Sequence, residues 1–248
     1  MPPSKNAFKT GNGQPAAGAP RCAGRVSTQT EEIVKKHRIG YGLVLHAFAV
    51  MMAYGQTPGP IQLPQPQTEG GKPLMEALKA RQSIRTFSKE RLPLQTVSNM
   101  LWAACGINRG DVGKRTAPSA RNIQEIQVYV SMEEGLFLYD EKTNMLQPVV
   151  AEDIRAATGT QEYVKNAPIN LIYVADKSKL PKASEVDQAA TFGADTGFIS
   201  QNVYLFCASE GLATVVRGSV DRTLLAQKMK LRMDQKIILA QTVGYPSQ

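Results

Sequence analysis

Ser184–Arg217, SEVDQAATFGADTGFISQNVYLFCASEGLATVVR, is the stretch whose reading decides the fold. It predicts one long helix over Ser184–Glu210, ended by Gly211 as the residue after its last turn. Small residues (Ala189, Ala190, Gly193, Ala194, Gly197) mix there with Phe198, Ile199, Val203, Leu205 and Phe206. Charged positions are too few for a surface helix, so burial on most sides is expected, either centrally or between two copies of the chain.

Working outward, INLIYVAD (Ile169–Asp176) is a nearly continuous apolar run and reads as a strand covered on both faces. IQVYVSM (Ile126–Met132) alternates and is rich in β-branched residues, and GLFLYDEKTNMLQPV predicts a hairpin turning at Lys142–Asn144. Leu74, Ala77 and Leu78 mark a first helix; a second begins near Pro93 and carries Val97, Leu101 and Ala104 up to Gly106. A further helix is expected between the hairpin and the strand at 169–176. A short helix starting at Ser219 or Asp221 and running through Met229, then KIILAQTVGYP as a strand, complete the chain. The order predicts an α+β domain with a mainly antiparallel central sheet flanked by helices.

Domain organisation follows from composition. Residues 1–33 are rich in Pro, Gly, Ala, Ser and Thr and cannot bury a core. Residues 34–55 carry Lys35, Lys36 and Arg38, then an apolar run, then Ala53 and Gly55, the parts of an export signal cleaved before Gln56. The run is too short to cross a bilayer. The expectation is a product starting at Val34, with 1–33 outside it, and a mature protein that is periplasmic or secreted; an uncleaved, cytoplasmic protein is the alternative. Residues 56–72 read as a Pro/Gly-rich linker or arm, and 73–248 as the folded domain.

The first 55 residues hold seven of the 29 Lys and Arg and two of the 21 Asp and Glu, which leaves net +3 on the remainder. That balance, without a clustered basic module, argues against a nucleic-acid partner. Both histidines (His37, His46) lie in the leader, so the domain has no Ser-His-Asp or Cys-His machinery and no zinc pattern. No catalytic side chain is assigned. Cys105 and Cys207 sit in apolar context and are read as buried free thiols, while Cys22 lies upstream.

ARQSIRTF (Ala80–Phe87) places Arg81, Ser83 and Arg85 at alternate positions, so on extended backbone they project together and can hold one phosphate. On spacing alone a solvated basic segment fits as well. KRTAPSARN (Lys114–Asn122) by itself reads as a loop. In order along the domain, however, RQSIRTF, VSNMLWAACGINR, KRTAPSARNIQEIQVYV, QEYVKNAPINLIYVA, ADTGFISQNVYLFCASEGLATV, RGSVD and VGYP resemble the nitroreductase family of flavin enzymes, most closely its SagB/ThcOx-like branch.

The resemblance implies the nitroreductase-like fold, a homodimer with the long helix at its interface, and FMN bound between subunits. It implies that Arg81, Gln82, Ser83 and Arg85 contact the phosphate, ribityl chain and ring edge. Pro118, Ser119, Ala120 and Asn122 approach the flavin from the other subunit, Gln161 contacts the ring or ribityl, and the backbone at Gly218 and Ser219 reaches flavin N5 and O4. For Asp221 a helix N-cap is the preferred reading. The implied activity is ping-pong oxidoreduction of a small molecule, with NAD(P)H or another electron donor. Two departures stand out. Glu125 occupies a position where an aromatic residue often sits, and the family's basic tail is missing after Gly-Tyr-Pro, which throws the phosphate onto Arg81, Arg85 or Arg217. They motivate the alternative of an exported flavin- or ligand-binding protein without turnover.

Overall fold

The computed structural model describes residues 58–247. The leader, the segment upstream of it, Cys22, His37 and His46 lie outside the described residues. The described helices are α1 (Leu74–Ala80), α2 (Leu94–Cys105), α3 (Glu185–Glu210) and α4 (Arg222–Lys228). The strands are β1 (Ile61–Gln62), β2 (Ile107–Arg109), β3 (Lys114–Arg115), β4 (Ile126–Met132), β5 (Gly135–Asp140), β6 (Met145–Val150), β7 (Ile169–Asp176), β8 (Ala213–Arg217) and β9 (Gln235–Gly244).

Seven strands form one sheet in the order β1-β6-β5-β4-β7-β9-β8, every neighbouring pair antiparallel. β7 is an inner strand, between β4 and β9, and all eight of its residues are buried. Its side chains alternate between faces. Leu171 and Tyr173 join the larger core with Val97 and Leu101 of α2 and Phe192, Ile199 and Val203 of α3. Ile172 and Val174 join the smaller core with Leu225 and Met229 beside α4. Cover on both faces is why the strand reads as an unbroken apolar run.

Local caps end the helices where the chain chemistry asks. Ser184 Oγ accepts from Asp187 N to open α3, and Gly211 closes it at φ 72°, where a side chain would be strained. Asp221 caps α4, its Oδ1 accepting from Leu224 N. Cys105 and Cys207 are buried free thiols; burial pushes Cys105 up to about 12 and Cys207 higher.

The structure departs from the sequence reading in several places. α3 is not buried on most sides: Phe192, Asp195, Thr196, Ile199, Ser200, Val203, Tyr204 and Cys207 form a single buried stripe. Val186 and Phe198 on other faces of the helix are exposed within the described chain. Leu74 and Leu78 of α1 are likewise exposed, and of that helix only Ala77 is buried. In place of a helix before β7 there are two short 3-10 turns, Arg155–Thr158 and Glu162–Lys165. The fold also reaches into the arm: Ile61 and Gln62 pair with Leu146 and Met145, and Leu63 is buried. A two-residue strand followed by one buried leucine is enough to cover the edge of β6.

Candidate functional site

The site is built along β8, an edge strand. Residues 81–87 leave α1 as extended chain and run beside it, with Ile84 N donating to Thr214 O and Phe87 bridging to Pro246. Arg81 and Ser83 do share a side. The Ser83 hydroxyl lies 2.8 Å from Tyr204 Oη on α3, and the Arg81 guanidinium sits over the Tyr204 ring at 5.4 Å from its centroid. Tyr204 Oη also accepts from Val216 N at 2.9 Å, so one phenol joins α3, β8 and the Arg81–Arg85 segment. Among the described residues neither Arg81 nor Arg85 has a carboxylate partner. Gln82 turns elsewhere, lining a cavity of about 250 Å³ with Ile84, Tyr204 and Thr214.

Two further loops meet at the end of β8. Thr160 N donates to Ser219 O, which ties the 158–161 loop to Gly218–Ser219, both exposed. Phe87 and Tyr163 pack at 5.4 Å between ring centroids and bring the Arg81–Arg85 segment against the same corner. Gln161 Oε1 is buried with no hydrogen-bond partner among the described residues. A buried acceptor left unpaired costs about 1–3 kcal/mol, so it marks a place for a donor. Above Gly218 the space is open; a β-carbon there would meet only Leu239 Cδ2, at 3.8 Å.

Beneath this corner lies Arg217, which is 6% exposed. Its guanidinium donates to Thr158 O, to Asn170 Oδ1 at 2.6 Å and to Thr242 Oγ1 at 2.7 Å. Desolvation lowers it to about 10. The guanidinium therefore faces the sheet interior and is not free to hold a phosphate, the role offered for it beside Arg81 and Arg85.

The remaining expected residues lie elsewhere on the molecule. Pro118 and Asn122 are exposed, and Ser119 and Ala120 half-buried, in a loop anchored to α3 by Ala120 N donating to Asp195 Oδ2 at 2.9 Å. Arg121, Asn122 and Gln124 all adopt left-handed backbone, at φ 51°, 57° and 50°. Each such residue costs on the order of 1 kcal/mol, held in place here by Ser119 Oγ accepting from Gln124 N and Lys179 Nζ donating to Gln124 O. Asp195 and Tyr204 stand about 14 Å apart along the α3 axis at 1.5 Å per residue, so the two groups hang from different turns of one helix.

Glu125, the acidic departure, does not enter either group. It is fully buried with both carboxylate oxygens lacking a hydrogen-bond donor among the described residues, and desolvation, then the adjacent Asp195 carboxyl, raises it to about 7. Tyr204, Asp195, Tyr163 and Gly159 were not singled out by sequence; only Asp195, an acid amid an apolar helix, carried a visible signal.

Together, two unpaired guanidiniums, a half-covered hydroxyl, an orphaned acceptor and an open glycine backbone suit a ligand with an anionic end and a polar ring. Among the described residues no group of His, Cys, Asp and Glu could hold a metal ion, and no helix is long and apolar enough to cross a membrane.

Comparison with known proteins gives the family of the chain. The model of the nitroreductase family matches residues 78–245. A Methanocaldococcus jannaschii protein described as a nitroreductase is 27% identical over 169 residues, 64% of this chain and 85% of that protein. A solved structure from Ralstonia eutropha, also described as a nitroreductase, is 40% identical, covers 78% of this chain and 92% of that one, and superposes with a TM-score of 0.75. The NADPH:FMN oxidoreductase of Vibrio harveyi, solved with NAD+, is 20% identical over 71% of this chain and 69% of its own, TM-score 0.53, and shares the fold. With the family model covering well over half of its length, this chain belongs to the nitroreductase family.

Proposed function

We propose that the protein is an FMN-dependent oxidoreductase that works as a homodimer and passes electrons between a donor and a small-molecule acceptor in a ping-pong sequence. The observation that carries the reading is the convergence of Arg81, Ser83, Gln161 and Gly218–Ser219 at the β8 edge. Arg81 and Arg85 take the phosphate through charge-assisted hydrogen bonds. Gln161 Oε1 accepts from the ring, and the backbone N–H groups of Gly218 and Ser219 point where negative charge gathers on reduction. Bound flavin supplies the two-electron chemistry, and the protein supplies position and field.

The dimer reading rests on apolar surface. Leu74, Met75 and Leu78 of α1 and Val186 and Phe198 of α3 are exposed on helices that pack against each other. The strained Pro118–Asn122 loop, anchored away from the Arg81–Arg85 group, is offered to the partner's site. Because Glu125 is buried against Asp195 and does not protrude, it gives no support to a carrier without turnover.

The purified protein should be yellow, with a flavin spectrum and about one FMN per subunit; a colourless protein that takes up no FMN overturns the reading. We assign export to the segment 34–55 and hence a donor other than NAD(P)H: the substrate itself or a membrane redox partner. Fractionation of the native host and stopped-flow reduction decide it. Cytoplasmic protein reduced by NAD(P)H at a few per second or faster, a rate typical of turnover, defeats the assignment.

A further inference from the structure

We infer that Arg217 is a positioning residue whose buried, uncompensated charge favours an anionic ligand state at the Gly218–Ser219 corner, so that reduced FMN is held more tightly than oxidised FMN. The inference rests on the flavin reading above and adds to it a residue that touches no ligand. Its geometry is unusual for an arginine. The side chain is buried, yet all its acceptors are neutral: Thr158 O and Oγ1, Asn170 Oδ1 and Thr242 Oγ1. Among the described residues no carboxylate reaches it.

A tie between β7, β8, β9 and the 158–161 loop does not require charge. Neutral side chains make such ties without the several kcal/mol it costs to bury an ion, and a buried cation normally has an anion beside it. Here the polar groups around the guanidinium are spent on holding it still: Thr242 Oγ1 donates to Asn170 Oδ1 at 2.6 Å, and Asn170 Nδ2 to Val164 O at 2.7 Å. Room is made for it as well. A β-carbon on Gly159 would collide with Nη1 and come within 3.0 Å of Gln161 Oε1, so the charge and the orphaned acceptor border the same bare glycine, and Arg217 stands one residue before the open Gly218 backbone. In a low-dielectric surround such a charge acts over several ångströms. Reduced flavin carries a negative charge that oxidised flavin lacks, and that charge is the missing counter-ion.

The test is the midpoint potential of bound FMN in wild type, Arg217→Met, Arg217→Lys and Asn170→Asp. Arg217→Met removes the charge. Asn170→Asp sets a carboxylate against the guanidinium at an existing hydrogen bond, which cancels the charge with the arginine in place, and it decides the matter if Arg217→Met does not fold. Both should loosen reduced relative to oxidised FMN about tenfold or more, a fall of roughly 30 mV or more in the two-electron potential. Arg217→Lys should restore most of it. Folded variants with the wild-type potential overturn the inference while leaving the flavin reading intact; a wild-type protein that binds no FMN removes both.

Discussion

The hydroxyls of Ser83 and Tyr204 meet at 2.8 Å across 121 positions of sequence, and the same phenol receives Val216 N. That junction holds the Arg81–Arg85 segment against α3, so the phosphate contacts proposed for it and the β8 edge share one support. Arg81→Ala and Arg85→Ala should each weaken FMN binding about ten- to a hundredfold, the worth of one charge-assisted contact at roughly 1.5–3 kcal/mol. Exposed Lys236 serves as the surface control. Equal FMN affinity in Arg81→Ala, Arg85→Ala and Lys236→Ala, by fluorescence titration, would refute the assignment.

Gln161→Leu separates a ligand contact from a structural one. Its Oε1 has no hydrogen-bond partner among the described residues, so the apoprotein should keep its stability or gain up to about 1 kcal/mol. FMN affinity should fall roughly tenfold. Thermal melts of apoprotein and holoprotein side by side read both, and an apoprotein destabilised by more than about 2 kcal/mol would show that Gln161 has a protein partner.

Gly159→Ala should destabilise the fold by about 1–3 kcal/mol, because the new β-carbon must displace the Arg217 guanidinium from its buried seat. Urea midpoints check this, and an unchanged midpoint means that Arg217 moves freely.

Phe198→Glu is the probe for the dimer. Phe198 is 46% exposed, whereas the neighbouring Ile199 is 4% exposed and part of the core, so Ile199→Glu should simply unfold the chain. Phe198→Glu should keep its circular dichroism, sediment as a monomer and lose FMN affinity. A folded monomer binding FMN at wild-type strength would separate the site from the interface.

Glu125 sets a pH dependence. Its folded value is raised to about 7 by desolvation and by Asp195, with Lys179 opposing, while the unfolded value stays near the ordinary carboxylate range. The folded state therefore binds the extra proton, and the contribution of Glu125 to stability should be largest below about pH 4.5 and fall between about pH 4.5 and 7, while Asp140, Asp153 and Asp176, all held below the usual carboxylate range, act in the opposite sense at lower pH. Glu125→Gln should remove that slope and raise the melting temperature by a few degrees at pH 8. Melts from pH 5 to 8 decide; a parallel decline in both proteins would assign the effect elsewhere.

Much of this protein was legible locally. The bounds of β4 and β7, the span of α3 and the caps at Gly211 and Asp221 follow from periodicity and from side chains acting within a turn. The strand β8 went unread because its five residues, between a helix cap and a glycine, are too few to show a period. Ordered motifs pointed to the residues of the site, but not to how they are held.

That part only the tertiary structure decided. Burial belongs to what packs on a residue, so the exposed faces of α1 and α3 could not be known from their own apolar content. The same holds for contacts across the chain: Ala120 on Asp195, Ser83 on Tyr204, and Arg217 among Thr158, Asn170 and Thr242. Local sequence sets which backbone conformations are cheap, and thus determined most of the helices and strands. Which side chains share a corner of the sheet is set by strand order, and strand order is a sum over contacts between residues far apart along the chain.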